Sequence, residues 1–266
     1  MKLEKGIGII LKKKEINEKD VIIDVLIKNN DESYHRKKFI VYGILKSKKR
    51  NPIIVEAGNL IQLDYYDKKN LDILNVKEIN LINRFYELKN NYEKLLFLSQ
   101  ILELSHYASI TDAHSLKDVF ILLLSALQYL EDYHKKQYQK IEDLLEKLSL
   151  SFKEIFLLFF SVRLLKIMGY VGDLNFCSSC NKEISIKAKW QEGLYFYCDE
   201  CDPTSNEIDF IYLQILRLIT KFKFNNFLEQ LEVYIEKSQI EKNKIHHIFS
   251  SMEEKLNLYL KTVITN

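Results

Sequence analysis

Near residue 80 the chain changes its hydrophobic period, and this change limits the fold more than any other feature. Before it, apolar residues come in short β-branched or aromatic runs over residues 8–14, 21–28, 34–45, 59–66 and 71–78. Side chains of a strand alternate between two faces, and Leu60, Gln62 and Asp64 set against Ile61, Leu63 and Tyr65 show that period of two. Turn-forming residues separate the runs: Asn29-Asn30-Asp31, Arg50-Asn51-Pro52, and the stretch 67–70. After about Asn83 the apolar spacing becomes three and four, over 86–107, 116–133, 141–148 and 152–168, and again over 207–221, 224–237 and 242–263. Strands followed by helices, without alternation, predict an α+β fold. Five short strands around one basic loop suit a small closed barrel of the OB type over residues 1–80, with an all-α domain over 81–266. An SH3-like barrel fits the strand pattern nearly as well.

The second constraint is a contact. All four cysteines of the chain stand in two pairs, Cys177-Ser-Ser-Cys180 and Cys198-Asp-Glu-Cys201. A CxxC turn puts two thiolates on one side of a tight knuckle, and a second knuckle completes a tetrahedron around a soft divalent ion. Zinc suits four thiolates best, one ion per chain, in a module at about 174–203 inserted in the helical domain. Four protein ligands leave no position for an activated water, so the expected site is structural and no catalytic residue is expected. Two disulfides or four unlinked thiols are the competing arrangements. Between the knuckles, residues 184–189 and 194–197 read as the arms of a short hairpin, and Asp199 and Glu200 as solvated turn residues.

A hydrophobic content of 47% and only two prolines fit packed cores rather than disorder. Apolar stretches at 119–127 and 155–162 fall short of the roughly 18 residues a membrane span requires. The apolar run at 7–11 is too short for a secretory signal and meets Lys12, Lys13 and Lys14 at once. Zinc-binding thiols must stay reduced, so a cytoplasmic protein is expected, with no membrane role. The net charge of +2 hides an uneven distribution. No acidic residue lies between Glu32 and Glu56, while Arg36, Lys37, Lys38, Lys46, Lys48, Lys49 and Arg50 all do. Such a run points to a polyanion site, or to a solvated basic face. Tyr34, Phe39 and Tyr42 lie among these cations, where aromatic side chains can serve as base-stacking platforms, although alternate residues of a barrel strand must face inward.

Motifs for catalysis are missing from the sequence. Its seven glycines form neither a phosphate-binding loop nor a dinucleotide fingerprint, and no HExxH or GxSxG occurs. His246-His247 are neighbours on an expected helix and so face different ways. Asp112 and Ser115 read as caps of the helix that follows them.

The run Phe159-Phe160-Ser161-Val162-Arg163-Leu164-Leu165, then Gly169-Tyr170, Leu174 and the first knuckle, resembles the signature of the RecO DNA repair proteins. The N-terminal segment is similar to that family in Gly8-Ile9-Ile10-Leu11, in Val21-Ile22, in Gly43 before the basic loop, in Gly58-Asn59-Leu60 and in Lys77-Glu78. Between Phe85 and Leu150 the likeness rests on helical pattern alone, and Gly193-Leu194 departs from a Gly-Gly pair common in the family.

The resemblance implies a non-enzymatic recombination mediator, cytoplasmic and nucleoid-associated. Such a protein binds single- and double-stranded DNA, anneals complementary strands, and acts with RecR and single-strand-binding protein to help RecA load. Its DNA surface is expected at Arg36, Lys37, Lys38, Lys46, Lys48, Lys49 and Arg50 with Lys12, Lys13 and Lys14, or otherwise at Arg163 and Lys166 beside the first knuckle. Two other classes compete. A zinc-ribbon interaction or regulatory protein would leave the basic loop inert. A zinc hydrolase or deaminase would need an open metal position and a His-x-Glu that the chain lacks.

Overall fold

The computed structural model describes every residue except 1, 68–70, 112–113, 137–138, 185–187, 191–193, 203–206, 209, 241 and 266. It divides the chain into two compact units, Met1–Gln137 and Tyr138–Asn266.

The first unit starts with five strands: β1 (Lys2–Glu15), β2 (Val21–Asn29), β3 (Tyr34–Val41), β4 (Leu60–Asp67) and β5 (Ile73–Asn83). They close in the order β1-β2-β3-β5-β4. All neighbours are antiparallel except β3 and β5, which run parallel through Lys38↔Ile73, Phe39↔Leu74 and Ile40↔Asn75. This is the OB-type closure expected from the sequence. Period-two alternation fills the interior, with Val21, Ile23, Val25 and Ile27 of β2 facing Phe39, Ile61, Leu63 and Tyr65. Curling β1 onto β2 requires a close approach: a Cβ on Gly8 would lie 2.4 Å from Val25 Cγ1. An extra residue in β1, between Ile10 and Lys12, shifts the register there.

β2 is also buried on its outer side, which strict alternation does not foresee. Leu26 is fully covered, as is Ile9 opposite it on β1. The cover is a helical pair, α1 (Tyr92–Thr111) and α2 (Leu116–Lys136), with α1 against β1 and α2 against β2 and β3. The period therefore switches near residue 80, while the compact unit continues to Gln137 because these two helices serve the barrel. The first helical stretch, expected over 86–107, is a separate 3-10 turn, Tyr86–Lys89, followed by α1. The left-handed backbone of Phe85, whose ring is buried, leads into that turn, and Asn90 and Asn91 separate the turn from α1. The cap expected at Asp112 lies outside the described residues, and the Ser115 carbonyl accepts from Val119 N at 2.9 Å.

The second unit holds α3 (Gln139–Leu148), α4 (Phe152–Ile167), α5 (Phe210–Lys221), α6 (Phe224–Ser238) and α7 (Lys242–Thr265). Ser151 opens α4 with a reciprocal capping box to Glu154, and positive-φ Gly169 follows its end. Apolar on nearly every side, α4 is the core helix, with Phe156 and Phe159 edge-on to Phe224 of α6 at 4.9 and 5.1 Å. Strands β6 (Ala188–Trp190), β7 (Phe196–Tyr197) and β8 (Glu207–Ile208) form a small sheet in the order β7-β6-β8. The expected hairpin is present as β6–β7. The helix expected from residue 207 starts at Phe210 instead, because Glu207 and Ile208 pair with Lys189 and Ala188 of β6. Among the described residues, no helix is long and apolar enough to cross a membrane.

Candidate metal centre and nucleic-acid interface

Backbone hydrogen bonds fold each knuckle tightly. In the first, Cys177 N donates to Lys182 O at 2.8 Å and Asn181 N to Cys177 O at 3.0 Å, helped by the left-handed backbone of Asn181. In the second, Cys201 N and Asp202 N both donate to Cys198 O at 3.1 Å. Ser178 N to Phe196 O, at 2.8 Å, joins the first knuckle to β7. As a result all four sulfurs lie within 4.8 Å of one another, and Cys180 Sγ is 3.7 Å from Cys198 Sγ.

Their acidities differ. Burial works to raise the Cys177 thiol, but the backbone N–H groups of Cys180, Cys198 and Ser179 outweigh it and bring it down to about 6. Cys201 is pushed up to about 12 by sharing its proton with Cys180 and Cys198. Four sulfurs this close cannot all ionise unaided, and a soft cation in place of the shared protons would make each a ligand. The donor set fits a metal held by Cys177, Cys180, Cys198 and Cys201, whose contribution would be to join the knuckles. Asp199 and Glu200 stay at the rim in ion pairs with Lys189, at 3.6 Å, and Lys182. The Lys182–Glu200 pair links one knuckle to the other. Gly193 lies outside the described residues.

Sequence reasoning missed the side chain that holds this module on its helix. Arg217 of α5 donates through Nε to Leu174 O at 2.9 Å and through Nη2 to Ile184 O at 3.0 Å. It thus grips both strands of chain leading into and out of the first knuckle. Nothing in the spacing of α5 marks it. Arg163 is likewise structural: it donates to Phe222 O and stacks on Phe159 at 5.4 Å.

On the barrel, the ten cations singled out from sequence separate into paired and open groups. Arg36 is bound to Asp24 beneath α1, with His106 Nδ1 3.6 Å from the same carboxylate. Lys37 turns to the barrel end, 3.3 Å from Tyr65 Oη and 3.4 Å from Asp67 Oδ2. Lys46 pairs with Glu18, and Lys13 with Glu15 at 2.8 Å. The stretch without acids in sequence is therefore partly neutralised in space, by carboxylates from β2, β4 and the β1–β2 turn. Lys14, Lys38, Lys48 and Lys49 are exposed and form none of the ion pairs found among the described residues. Exposed Lys12 lies over the Tyr107 ring at 5.3 Å, and exposed Arg50 donates to Tyr42 O at 2.9 Å. The aromatic trio separates too. Phe39 is core, edge-on to Tyr65 at 4.9 Å, Tyr34 meets Phe120 of α2 at 5.5 Å, and Tyr42 is 55% exposed.

Two devices hold the basic loop 46–50 in place. The Ser47 hydroxyl accepts from Lys49 N and Arg50 N, and Leu45 N donates to Lys19 O, which fastens the loop to the β1–β2 turn. Asn59, fully buried, donates to the carbonyls of Ile53 and Ile54 at 2.7 and 3.1 Å and so fixes the 3-10 turn Pro52–Val55. Its own carbonyl accepts from Lys89 Nζ, a lysine that burial lowers to about 8.

A family model described as Recombination protein O C terminal matches residues 89–234, and so spans most of the stretch where only helical pattern was legible. DNA repair protein RecO of Leptospira biflexa is 32% identical over 235 residues, covering 86% of this chain and 84% of that protein. The chain belongs to the RecO family. Proteins of the same name from Clostridium acetobutylicum and Thermodesulfovibrio yellowstonii are 28% and 24% identical over 208 and 252 residues. The first match covers 76% of this chain and 72% of the relative, and the second covers 91% of each.

Proposed function

We propose that this chain is a DNA repair and recombination mediator without enzymatic activity. It binds single- and double-stranded DNA, anneals complementary strands, and with RecR helps RecA load onto DNA coated by single-strand-binding protein. Kinship with DNA repair protein RecO over 86% of the chain carries this reading. The barrel of residues 1–80 is the DNA-binding part. Its open cations Lys14, Lys38, Lys48, Lys49 and Arg50, with Lys12, neutralise phosphates and release counterions. That lets two strands approach while their bases remain free to pair. Residues 81–266 carry the zinc module, in which the metal supports structure.

The decisive experiment mixes complementary labelled strands with the purified chain and follows duplex formation. Pairing faster than in buffer, indifferent to ATP and slowed by added salt is the expected result. Pairing no faster than in buffer, or dependent on ATP, would sink the proposal and favour a zinc-module interaction protein.

A further inference from the structure

OB barrels hold oligonucleotides on the outer face of their second and third strands. Here much of that face is already occupied. The register aligns the outward residues of β1, β2 and β3 in rows: Ile9–Leu26–Arg36, Lys12–Asp24–Lys38 and Lys14–Ile22–Ile40. Ile9 and Leu26 are fully buried under the helical pair, and Tyr34, one step further along β3, meets Phe120 of α2. In the next row α1 brings His106 to Asp24 and Tyr107 to Lys12. The cover stops there. Lys38 and Lys14 are exposed, and beyond them come Ile16 and Tyr42, exposed by 47% and 55%. From the Lys38 row to Tyr42 is four residues, about 14 Å at strand rise. Arg50, held to the Tyr42 carbonyl, links this strip to Lys48 and Lys49.

We infer that the helical pair α1–α2 excludes single-stranded DNA from most of the strand 2–3 face and confines it to this end, where Tyr42 stacks on a base. The inference rests on the proposed DNA-binding role and adds to it the point where a single strand is told from a duplex. Of the aromatic side chains on β3 and its continuation, Tyr42 alone presents its ring to solvent beside open cations. Phe39 is enclosed by the barrel, and Tyr34 is half-buried with its ring against Phe120 of α2. Cations attract any phosphate backbone, whereas a ring gains a partner only from a base not already stacked between neighbours. Tyr42 should therefore serve single strands selectively.

The test compares the full chain with Tyr42→Ala and Tyr42→Phe, using an oligothymidine and a duplex of equal length at several salt concentrations. Tyr42→Ala should weaken oligothymidine binding roughly 5- to 100-fold, the loss of one stacked base. It should leave duplex binding and both salt slopes unchanged. Tyr42→Phe should restore oligothymidine affinity, because stacking needs the ring and not the hydroxyl. Photocrosslinking of the unsubstituted chain to halogenated oligodeoxyuridine gives an independent readout, with the crosslink expected at Tyr42. Alanine binding equal to the parent, or a crosslink at Tyr34 instead, overturns the inference while leaving the DNA-binding role intact. A parent chain that binds neither probe would reject the role itself.

Discussion

The β1–β5 barrel and the β6–β8 sheet are both small β structures of one chain, held together by different forces. Fourteen apolar side chains fill the barrel, and its ladder closes on itself so that no edge remains. The smaller sheet has strands of three, two and two residues. Around it the main buried apolar groups are Leu174, Ile184, Leu194 and Phe196. Its order comes from main-chain hydrogen bonds and from the Arg217 grip, beside four sulfurs that could hold one metal ion. Interior volume maintains the first, whereas the second leans on hydrogen bonds and on four sulfurs that could hold a metal. The lesson is that a single perturbation should reach one and spare the other.

The sharpest break would be loss of the proposed metal. Cys177→Ser, or extraction with a strong chelator, should empty the site and unfold the small sheet, since binding free energy on the order of 10 kcal/mol is coupled to folding in such modules. Trp190, the only tryptophan of the chain, lies on β6 with its ring 6.2 Å from Phe196, so its fluorescence should report the collapse. Far-ultraviolet circular dichroism of a fragment ending at Gln137 should be indifferent to the chelator. A stoichiometric metal assay that finds no zinc in protein purified without chelator would contradict the assignment. The reverse perturbation comes next in size. Phe39→Ala removes a fully buried ring and should cost the barrel about 3–5 kcal/mol in denaturant melts, with zinc content unchanged.

The smallest expected effect is one of pH. Burial, then the Arg36 charge, lower His106 from the ordinary 6.5 to about 4, against the opposing pull of Asp24. Lys12 and Lys38 act in the same direction as Arg36. A folded value below the unfolded one means the fold prefers the neutral ring. The associated stability is whole above pH 6.5 and is lost as pH falls toward 4. His106→Gln should flatten barrel stability across that window. Acid would also release a metal held by the four sulfurs, so the comparison is made on the barrel signal alone. An unaltered pH profile in the variant would move the acid response elsewhere.

Much of this was written plainly in the sequence. Period two and period 3.6 depend only on local geometry, so the five strands and the core helix α4 could be read directly. The cysteine cluster was equally legible, because ligand spacing is a local property of each knuckle. What could not be read depends on register and tertiary contact. Asp24 reaches Arg36 only after β2 and β3 align, and Asp67 reaches Lys37 only after the barrel shuts. Three cations of the basic stretch were thus neutralised by residues distant in sequence. The strand at Glu207–Ile208 escaped for the same reason, since two residues carry no period and are strand only because β6 lies alongside.

The way the barrel shuts also shapes how it folds. Strands β1, β2 and β3 are consecutive and can pair early, but β1 must wait for β4, with Lys2 opposite Asp67 and Ile9 opposite Leu60. β3 must wait longer still, for β5. Such distant pairings are slow to form, and until then β1 and β3 are bare edges able to recruit strands from another molecule. Lysine on an edge discourages that recruitment. Lys2 and Lys5 on β1, with Lys37 and Lys38 on β3, occupy those very margins. On a half-folded chain, lysines at these margins would disfavour edge-to-edge pairing with another molecule.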